Sequence, residues 1–186
     1  SIKTIYARNT EIHKIASHDA NEFIDRYHLS GSLNSEINLG CFYEKELIGV
    51  MTFGIPRFNK EYDYELLRLC WKSGLKVIGG TDKLFKYFIR NHEFNSIITF
   101  SDITKFTGNV YTRLGFKPAG NNPITEPNYV WVNCSNKVLS RYQTQKHKLI
   151  AQGLGKKDDT EDSIMKSHGY LKTYDSGNIR LEYIRG

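Results

Sequence analysis

Apolar runs of strand length recur along the chain and limit the folds that it can adopt. Two runs, Ile37–Tyr43 and Leu47–Phe53, are split by the charged residues 44–46, and a third, Tyr64–Trp71, follows a polar loop. Short apolar runs bounded by turn residues are typical of β-strands, and the charged triplet predicts a hairpin. The sequence therefore predicts three consecutive antiparallel strands.

Helical patterns alternate with further strands. A helix from Ser17 to about Leu29 is predicted because apolar residues recur there every three or four positions, with Ser17 as its cap. The remaining predicted elements are strands at Ile2–Ala7, Ser96–Phe100 and Tyr129–Cys134, helices at Asp82–Asn91, Thr107–Leu114 and up to His168, and a hairpin over Tyr170–Ile184. This order predicts an α/β fold, a mixed sheet with flanking helices over residues 1–135, followed by a small α/β extension over residues 136–186.

Composition narrows the class of protein. With 39% hydrophobic and 25% charged residues among 186, the chain has the make-up of a folded globular protein. No apolar run approaches the roughly 18 residues of a membrane span. Cys41, Cys70 and Cys134 are far apart in apolar runs, so we expect reduced, buried thiols, no zinc site and a cytoplasmic protein.

Positive charge is concentrated in one segment. The chain carries a formal charge of +6, and Pro127–Lys157 contains six lysines and arginines but no acidic residue. Aromatic residues are interleaved with these cations, a combination that suits phosphates and stacked bases. We therefore predict a nucleic acid as the partner. The predicted nucleic-acid-contacting residues are Lys137, Arg141, Lys146, His147 and Lys148; a solvated basic surface is the alternative.

A glycine pair stands where a strand gives way to a helix. Gly79 and Gly80, followed by Thr81, lie at the predicted start of a helix, where free backbone N–H groups and the helix dipole favour phosphate. The motif from Lys76 to Thr81 resembles the pyrophosphate loop of GCN5-related N-acetyltransferases, although Lys76 and Thr81 depart from that pattern. The resemblance implies that Lys76, Gly79, Gly80 and Thr81 bind acetyl-coenzyme A or a related acyl donor. A glycine-rich turn capped by Thr81 is the alternative.

A second motif follows the strand at residues 96–100. Tyr111 is followed by Gly115 and Phe116, a Tyr-x-x-x-Gly-Phe pattern that is similar to another recurring signature of the same acetyltransferases. In those enzymes the tyrosine often protonates the leaving thiolate of coenzyme A. The resemblance therefore implies this role for Tyr111, and a phenol with a pKa near about 10 suits it.

Polar residues at the ends of predicted elements complete the candidate site. They are His28 at the end of the first helix, Glu65 and Arg68 on the third strand, and Ser101 and Asp102 at the end of a buried strand. Regular strand alternation places Glu65 and Arg68 on opposite faces. Each residue also has a structural alternative, as a cap or an ion-pair partner.

These residues fall within motifs of a more specific resemblance. Residues 23–31, Leu39–Phe42, Glu65–Leu69, Ser101–Asp102 and Val110–Tyr111 resemble the phage Mom-type DNA-modification proteins, which have the acetyltransferase fold and alter the N6 amino group of adenine in DNA. The resemblance implies that Asp102 or His28 deprotonates or orients the amine, with Ser101 and Glu65 in the same catalytic set.

A further resemblance covers nearly the whole chain. Residues 51–58, 64–68, 83–88, 145–149 and 169–178 look like a phage domain found alone or on the C-terminal side of homing-endonuclease-like proteins. The nuclease motif of those proteins, Glu-Asp-x-His-Asp, does not occur in this sequence. We therefore expect a DNA-directed acyltransferase. The alternatives are a non-catalytic DNA-binding module, and an acyltransferase for a protein or a small amine.

Overall fold

A computed structural model describes residues 2–103, 109–175 and 177–186. Contacts divide the chain into two compact units. The first unit comprises Ser1–Ser101, Phe106–Pro123 and Arg180–Gly186, and the second comprises Asp102–Lys105 and Ile124–Ile179. The boundary predicted at residue 135 falls inside the second unit, so the strand at Tyr129–Asn133 belongs with the basic segment.

The first unit is built on a large mixed sheet. Its elements in chain order are β1 (Lys3–Tyr6), a 3₁₀ turn (Ala7–Asn9), β2 (Glu11–Lys14), α1 (Ser17–Tyr27), β3 (Ile37–Tyr43), β4 (Glu46–Gly54), β5 (Tyr64–Trp71), β6 (Leu75–Ile78), α2 (Gly80–Asn91), β7 (Ser96–Asp102), α3 (Asn109–Leu114) and β8 (Lys117–Pro118). The last strand of the chain, β12 (Asn178–Ile184), returns to this sheet. The strand order is β2-β3-β4-β5-β7-β12-β8, and β1 pairs with β6 in a separate parallel ribbon.

Parallel and antiparallel pairing meet at β5. Strands β2 to β5 are successively antiparallel, as the sequence predicts, and β5 pairs in parallel with β7. The β3–β4 hairpin turns through Glu44 and Lys45, both with positive φ. A parallel neighbour requires a crossover connection, which β6 and α2 supply.

A β-bulge interrupts the pairing of β4 with β5. Thr52 lies opposite Arg68, but Phe53 lies opposite Leu66, so Leu67 is an extra residue on β5. A bulge of this kind bends its strand and increases the local twist. The regular alternation of side chains along β5 therefore breaks at Leu67.

The bulge changes which side chains share a face of the sheet. Gly54 lies opposite Glu65, and Thr52 lies opposite Arg68. Because directly opposed residues share a face, and Thr52 and Gly54 are two positions apart on β4, Glu65 and Arg68 lie on the same face. The expectation that they face opposite sides is wrong, because it assumed an unbroken strand.

Two helices bury the main core against the two faces of the sheet. Ala20, Phe23 and Ile24 of α1 pack with Val50 and Cys70. On α2 the predicted inward residues Leu84, Phe85 and Phe88 are buried, and Phe88 stacks on Phe53 with ring centroids 3.7 Å apart. The helix that carries Thr81 is therefore fixed to the sheet by its apolar stripe.

The second unit is a small sheet with two short helices. Its elements are β9 (Tyr129–Asn133), β10 (Val138–Ser140), α4 (Lys146–Ala151), α5 (Glu161–Ser167) and β11 (Tyr170–Tyr174), with sheet order β10-β9-β11. Its core is Trp131, Leu149, Ile164 and Met165. Glu161 accepts hydrogen bonds from Tyr129 Oη, Trp131 Nε1 and Thr144 Oγ1 at 2.8–3.1 Å.

Several local predictions are corrected by the structure. The hairpin predicted over Tyr170–Ile184 is wrong, because β11 pairs with β9 while β12 joins the large sheet. Strands β2 and β6 were not predicted, since each is only four residues long. Ala16, not Ser17, is the N-cap of α1. The predicted start of a helix at Thr107 and the turn residue Ser176 lie outside the described residues.

Cysteine burial is also only partly as expected. Cys41 and Cys70 are buried free thiols, but Cys134 is exposed, because it follows the end of β9 in a turn. The apolar run before it ends one residue earlier than the sequence pattern indicates.

Candidate active site

The candidate active site is in the first unit, where the ladder between β5 and β7 ends. The described pairs are Tyr64 with Ile97, Glu65 with Ile98 and Leu66 with Thr99. The bulge residue Leu67 comes directly after the last pair on β5. Beyond this point the described β5–β7 ladder makes no further use of the backbone N–H and C=O groups of the two strands. In sheets with parallel strands, ligands bind at these carboxyl ends.

Tyr111 of α3 places its hydroxyl beside this ladder end. Its ring packs on Phe116, with centroids 5.8 Å apart, and its hydroxyl lies next to Thr99. Burial raises the pKa of Tyr111 above its ordinary value, while the hydrogen bond with Thr99 and the charge of Arg68 oppose that shift. The phenol therefore keeps its proton at neutral pH. The charge of Arg68 stabilises its anion, whereas the Thr99 hydroxyl donates to the Leu66 carbonyl at 3.0 Å and would have to turn to donate to Tyr111. Both properties suit a proton donor.

Arg68 connects the sheet to the loop after α1. Its Nε donates to the carbonyl of Gly31 at 2.7 Å, Nη2 to that of Ser30 at 3.4 Å and Nη1 to that of Leu67 at 2.9 Å. Burial lowers the pKa of Arg68, but a guanidinium remains charged in proteins. Arg68 therefore holds this loop in place and adds positive charge near Tyr111.

His28 belongs to the same loop. It is the C-cap of α1, with its backbone N–H donating to the carbonyl of Ile24 at 2.7 Å. Its Nδ1 accepts a hydrogen bond from the backbone N–H of Ser30 at 3.1 Å. His28 therefore caps α1, which is one of the two roles that the sequence allowed. Arg68 bonds to the same loop and also lies near Tyr111.

Glu65 is buried and paired. Its side chain is 1% exposed and accepts hydrogen bonds from Arg57 Nε at 3.0 Å, Nη2 at 2.7 Å and the backbone N–H at 2.8 Å. Both guanidinium N–H groups donate to Oε1 and the backbone N–H donates to Oε2, so Glu65 anchors the loop between β4 and β5 through Arg57. A catalytic role for Glu65 remains a prediction.

Ser101 and Asp102 are the last two residues of β7, as the sequence predicts. Ser101 is partly buried and belongs to the first unit, whereas the chain enters the second unit at Asp102. Phe100 precedes them and contacts Phe58 edge to face, with centroids 5.6 Å apart. Their catalytic roles also remain predictions.

The predicted phosphate loop begins α2. Gly79 is the N-cap, with φ of +77° in the left-handed region that glycine adopts readily, and the first helical hydrogen bond joins Lys83 N–H to Gly79 C=O at 3.0 Å. The N–H groups of Gly80, Thr81 and Asp82 precede that bond and have no acceptor within the helix. The structural alternative of a threonine cap is wrong, because no side-chain cap is present.

Side chains of this loop also serve internal packing. Gly80 is buried against the indole of Trp71, which a Cβ at residue 80 would strike. Trp71 Nε1 donates to Thr81 Oγ1 at 3.3 Å. Lys76 is exposed on β6. Phosphate recognition here would therefore rest on backbone N–H groups and on the Thr81 hydroxyl, which accepts from Trp71 and can still donate its own proton.

Cations line a groove along α2. The groove has a volume of about 570 Å³ and is lined by Gly79 together with Arg8, Lys83, Lys86 and Arg90. Lys83 Nζ donates to the carbonyls of Ala7 and Thr10, and Lys86 pairs with Asp82 at 2.8 Å. The excess of positive charge near Gly79 favours an anion at the start of α2.

The predicted DNA-contacting residues all lie in the second unit. Lys137, Arg141, Lys146 and His147 are exposed, in the β9–β10 turn, after β10 and in the first turn of α4. Lys148 is partly buried: its Nζ donates to the carbonyl of Tyr142 at 3.0 Å and lies 2.8 Å from the centroid of that ring. Four of the five are therefore open to a polyanion, and Lys148 is partly engaged within the unit.

Sequence reasoning missed two residues that shape the site. Thr99 is buried in β7 and contacts Tyr111, and Arg57 holds Glu65. A single polar residue in the apolar run of β7 is a signal for Thr99. No spacing rule indicates Arg57, because it lies in a loop eight residues before its partner.

No cluster of three or more His, Cys, Asp or Glu side chains suited to a metal ion is found in the described part of the chain. Within residues 2–103, 109–175 and 177–186, no helix has the length and apolar content to cross a membrane.

Comparison with known proteins places this geometry in a family. The sequence model of the Mom protein family matches residues 9–178. No curated protein gave a significant sequence match.

Solved acetyltransferases share the fold across nearly the whole chain. A Bacillus subtilis acetyltransferase in complex with CoA has 12% identity and a TM-score of 0.51, over 96% of this chain and 99% of that one. The Escherichia coli ribosomal-protein-S18-alanine N-acetyltransferase has 9% identity and a TM-score of 0.52, over 94% and 93%. A spermidine/spermine N-acetyltransferase from Vibrio cholerae, in complex with manganese ions, has 10% identity and a TM-score of 0.52, over 96% and 94%. At these identities the likeness shows a GCN5-related N-acetyltransferase fold.

Proposed function

Because the chain belongs to the Mom protein family, we propose that it transfers an acyl-type group from a coenzyme A thioester to an exocyclic amino group of a DNA base, with adenine N6 as the acceptor. The observation that carries the proposal is the Tyr111 hydroxyl, protonated by burial and placed where the β5–β7 ladder ends. The predicted phosphate loop begins α2, the crossover helix between these two strands.

The residues at α2 fit the donor's pyrophosphate. Gly79 takes the left-handed conformation at the N-cap of α2, and the N–H groups of Gly80, Thr81 and Asp82 that follow it have no acceptor within the helix. Backbone amides at a helix N-terminus bind phosphate groups well. Arg8, Lys86 and Arg90 add positive potential in the adjoining groove. The donor, when bound, supplies an activated acyl carbon on a thiol leaving group.

The chain's own groups then handle two protons. As the amine nitrogen bonds to the acyl carbon and the carbon–sulfur bond breaks, Tyr111 gives its proton to the departing sulfur. The charge of Arg68 stabilises the resulting phenolate, and Thr99 does so once its hydroxyl turns from the Leu66 carbonyl to the phenolate oxygen. The proton lost by the amine goes to a base, for which Asp102 and His28 are the candidates. Ser101 would orient the acceptor.

The acceptor sets a further requirement. An exocyclic amine on adenine is a poor nucleophile, since its lone pair is delocalised into the ring, and it is inaccessible within a stacked duplex. The base must leave the stack before it can react. In this proposal the cations of the second unit, Lys137, Arg141, Lys146, His147 and Lys148, contact phosphates and retain the DNA.

A nucleoside analysis tests the proposal. Duplex DNA is incubated with the protein and acetyl-coenzyme A or related thioesters, digested to nucleosides and analysed by mass spectrometry. We expect a deoxyadenosine of increased mass that depends on both protein and donor. Unmodified nucleosides with every donor, together with no calorimetric binding of coenzyme A at millimolar concentration, would contradict the proposal.

One observation favours a second candidate, a non-catalytic DNA-binding module. Trp71 donates a hydrogen bond to Thr81 Oγ1 and packs against Gly80, so the residue types at these two positions are also explained by packing alone. The calorimetric experiment separates the two candidates. DNA binding without coenzyme A binding would favour the module, whereas binding of both would favour the enzyme.

A further inference from the structure

The loop between β4 and β5 presents an aromatic ring to solvent beside the candidate site. Phe58 is 74% exposed, although a phenylalanine is ordinarily buried. Its ring contacts Phe100 edge to face at 5.6 Å, and the Arg57 guanidinium lies 5.1 Å from its centroid. With a guanidinium on one side and high exposure, the ring offers a flat surface for another planar group.

The ring is held by a braced loop. Arg57, next to Phe58, is fixed by three hydrogen bonds to the buried carboxylate of Glu65, two from its guanidinium to Oε1 and one from its backbone N–H to Oε2. Lys60 Nζ donates to the carbonyl of Pro56 at 2.5 Å, closing the loop around Phe58. A surface ordered before binding loses little conformational entropy when a ligand arrives.

The charges of the first unit link this loop to the groups around Tyr111. Arg57, which lies beside the ring, is close enough to Arg68 for its charge to lower the pKa of Arg68, and the charge of Arg68 in turn acts on Tyr111. Glu65, which anchors Arg57, is on the same face of the sheet as Arg68. Phe100 is next to Thr99 on β7, but consecutive strand residues point to opposite faces, so the link between Phe58 and Tyr111 runs through Arg57 and Arg68.

The charges around the ring favour an uncharged ligand. Residues 55–68 contain three basic side chains, Arg57, Lys60 and Arg68, and three acidic ones, Glu61, Asp63 and Glu65. A balanced set of this kind offers no net attraction to a phosphate. The π-face of a nucleobase is uncharged and stacks on aromatic side chains with about 1–3 kcal/mol per base.

We propose that Phe58 is the stacking platform for the DNA base that leaves the duplex, a purine held between the ring and the groups around Tyr111. The proposal rests on the proposed function, since it requires DNA as the substrate. It assigns base recognition to the β4–β5 loop of the first unit, separate from phosphate contacts by the second unit.

A binding experiment with two duplexes tests it. One duplex carries a single adenine opposite an abasic site, which is easily extruded, and the other is identical but fully paired. The protein should prefer the first duplex. Phe58→Ala should weaken binding to the first duplex by about tenfold, within the range of one lost stack, and remove the preference. Phe58→Trp, which keeps an aromatic face, should retain it.

Two controls separate stacking from other effects. Phe58→Leu keeps apolar area without a π-face and should behave like Phe58→Ala. Tyr6→Ala removes another exposed aromatic side chain, 47% exposed and 5.2 Å from the Arg8 guanidinium, and should leave binding unchanged. Melting temperatures of all variants should match that of the parent protein, because both rings are largely outside the core.

The outcomes distinguish this proposal from the proposed function. If the parent protein prefers the unpaired adenine and Phe58→Ala or Phe58→Leu keeps that preference, the platform proposal is overturned while DNA remains the substrate. If the parent protein binds neither duplex, the proposed function fails and the platform fails with it.

Discussion

The Tyr111 hydroxyl combines two opposing influences on its acidity. Burial raises its pKa, while Thr99 and Arg68 favour the phenolate. The net effect is upward, so the proton is retained through the whole neutral range and can be donated when negative charge develops next to it. The acidity of Tyr111 therefore depends on its neighbours, and Thr99 and Arg68 contribute to the site by lowering the pKa of Tyr111.

Replacing Tyr111 with Phe should lower turnover of the proposed reaction by about 10²–10⁴-fold, the usual contribution of one positioned acid. Because the pKa is raised, the protonated form persists as pH rises. Activity of the parent protein should therefore show no loss attributable to Tyr111 until above pH ~10. Steady-state rates across pH measure both effects. Unchanged affinity for coenzyme A and DNA is the control, and full activity of the variant would exclude the proton-donor role.

At the scale of elements, the start of α2 depends on close packing between Gly80 and Trp71. A Cβ at residue 80 would strike the indole, so Gly80→Ala should reduce the free energy of unfolding by about 1–3 kcal/mol. Gly74 is a matched control: it also stands outside a helix interior, with φ of +80°, but a Cβ there meets nothing within 4 Å. Gly74→Ala should show backbone strain alone, about 1 kcal/mol. Urea unfolding measures the difference, and equal effects would contradict the packing argument.

The second unit depends on Glu161 in a comparable way. Glu161→Ala leaves the donors of Tyr129, Trp131 and Thr144 without this acceptor, and we expect the free energy of unfolding to fall by roughly 3 kcal/mol or more. Asp158→Ala removes an exposed acid nearby in sequence and is the control, with an expected effect within about 0.5 kcal/mol. If denaturant unfolding gave the same value for both variants, Glu161 would not be the organising residue of the unit.

At the scale of the whole molecule, we expect the formal charge of +6 to favour DNA binding mainly through the cations of the second unit. Replacing Lys146 and Lys148 together with Gln should weaken binding to all duplexes alike and flatten the plot of log affinity against log salt by about one to two units. Lys148 is partly engaged with Tyr142, so the lower end of that range is expected.

Lys14 and Lys45 provide the matched control, because both are exposed in the first unit. Changing this pair to Gln removes the same charge and should leave the salt slope unchanged. Equal effects of the two double substitutions would mean that binding depends on net charge and not on the second unit.

The spacing of apolar residues along the sequence was sufficient to predict the strands and the helix that position the candidate site. Strands β3, β4, β5 and β7 and the buried face of α2 follow their predicted ranges closely, because each has the periodicity of a half-buried or buried segment. Strands β2 and β6 are four residues long and pair with strands distant in sequence, β3 and β1, so tertiary contacts decide that they form. The predicted hairpin pairs β11 with β12, the next strand in sequence, but β11 pairs with β9.

The sequence by itself determined the alternation of strands and helices, the glycines at residues 79 and 80, the Tyr111 motif and the family resemblance, since these depend on residue type and spacing over short distances. Tertiary structure alone decided that Glu65 and Arg68 share a face, because a bulge depends on the partner strand. It also decided that Arg57 neutralises Glu65, that Trp71 engages Thr81 and that Phe58 remains exposed. These contacts join positions that no periodicity relates, since they arise from how loops close over the assembled sheet.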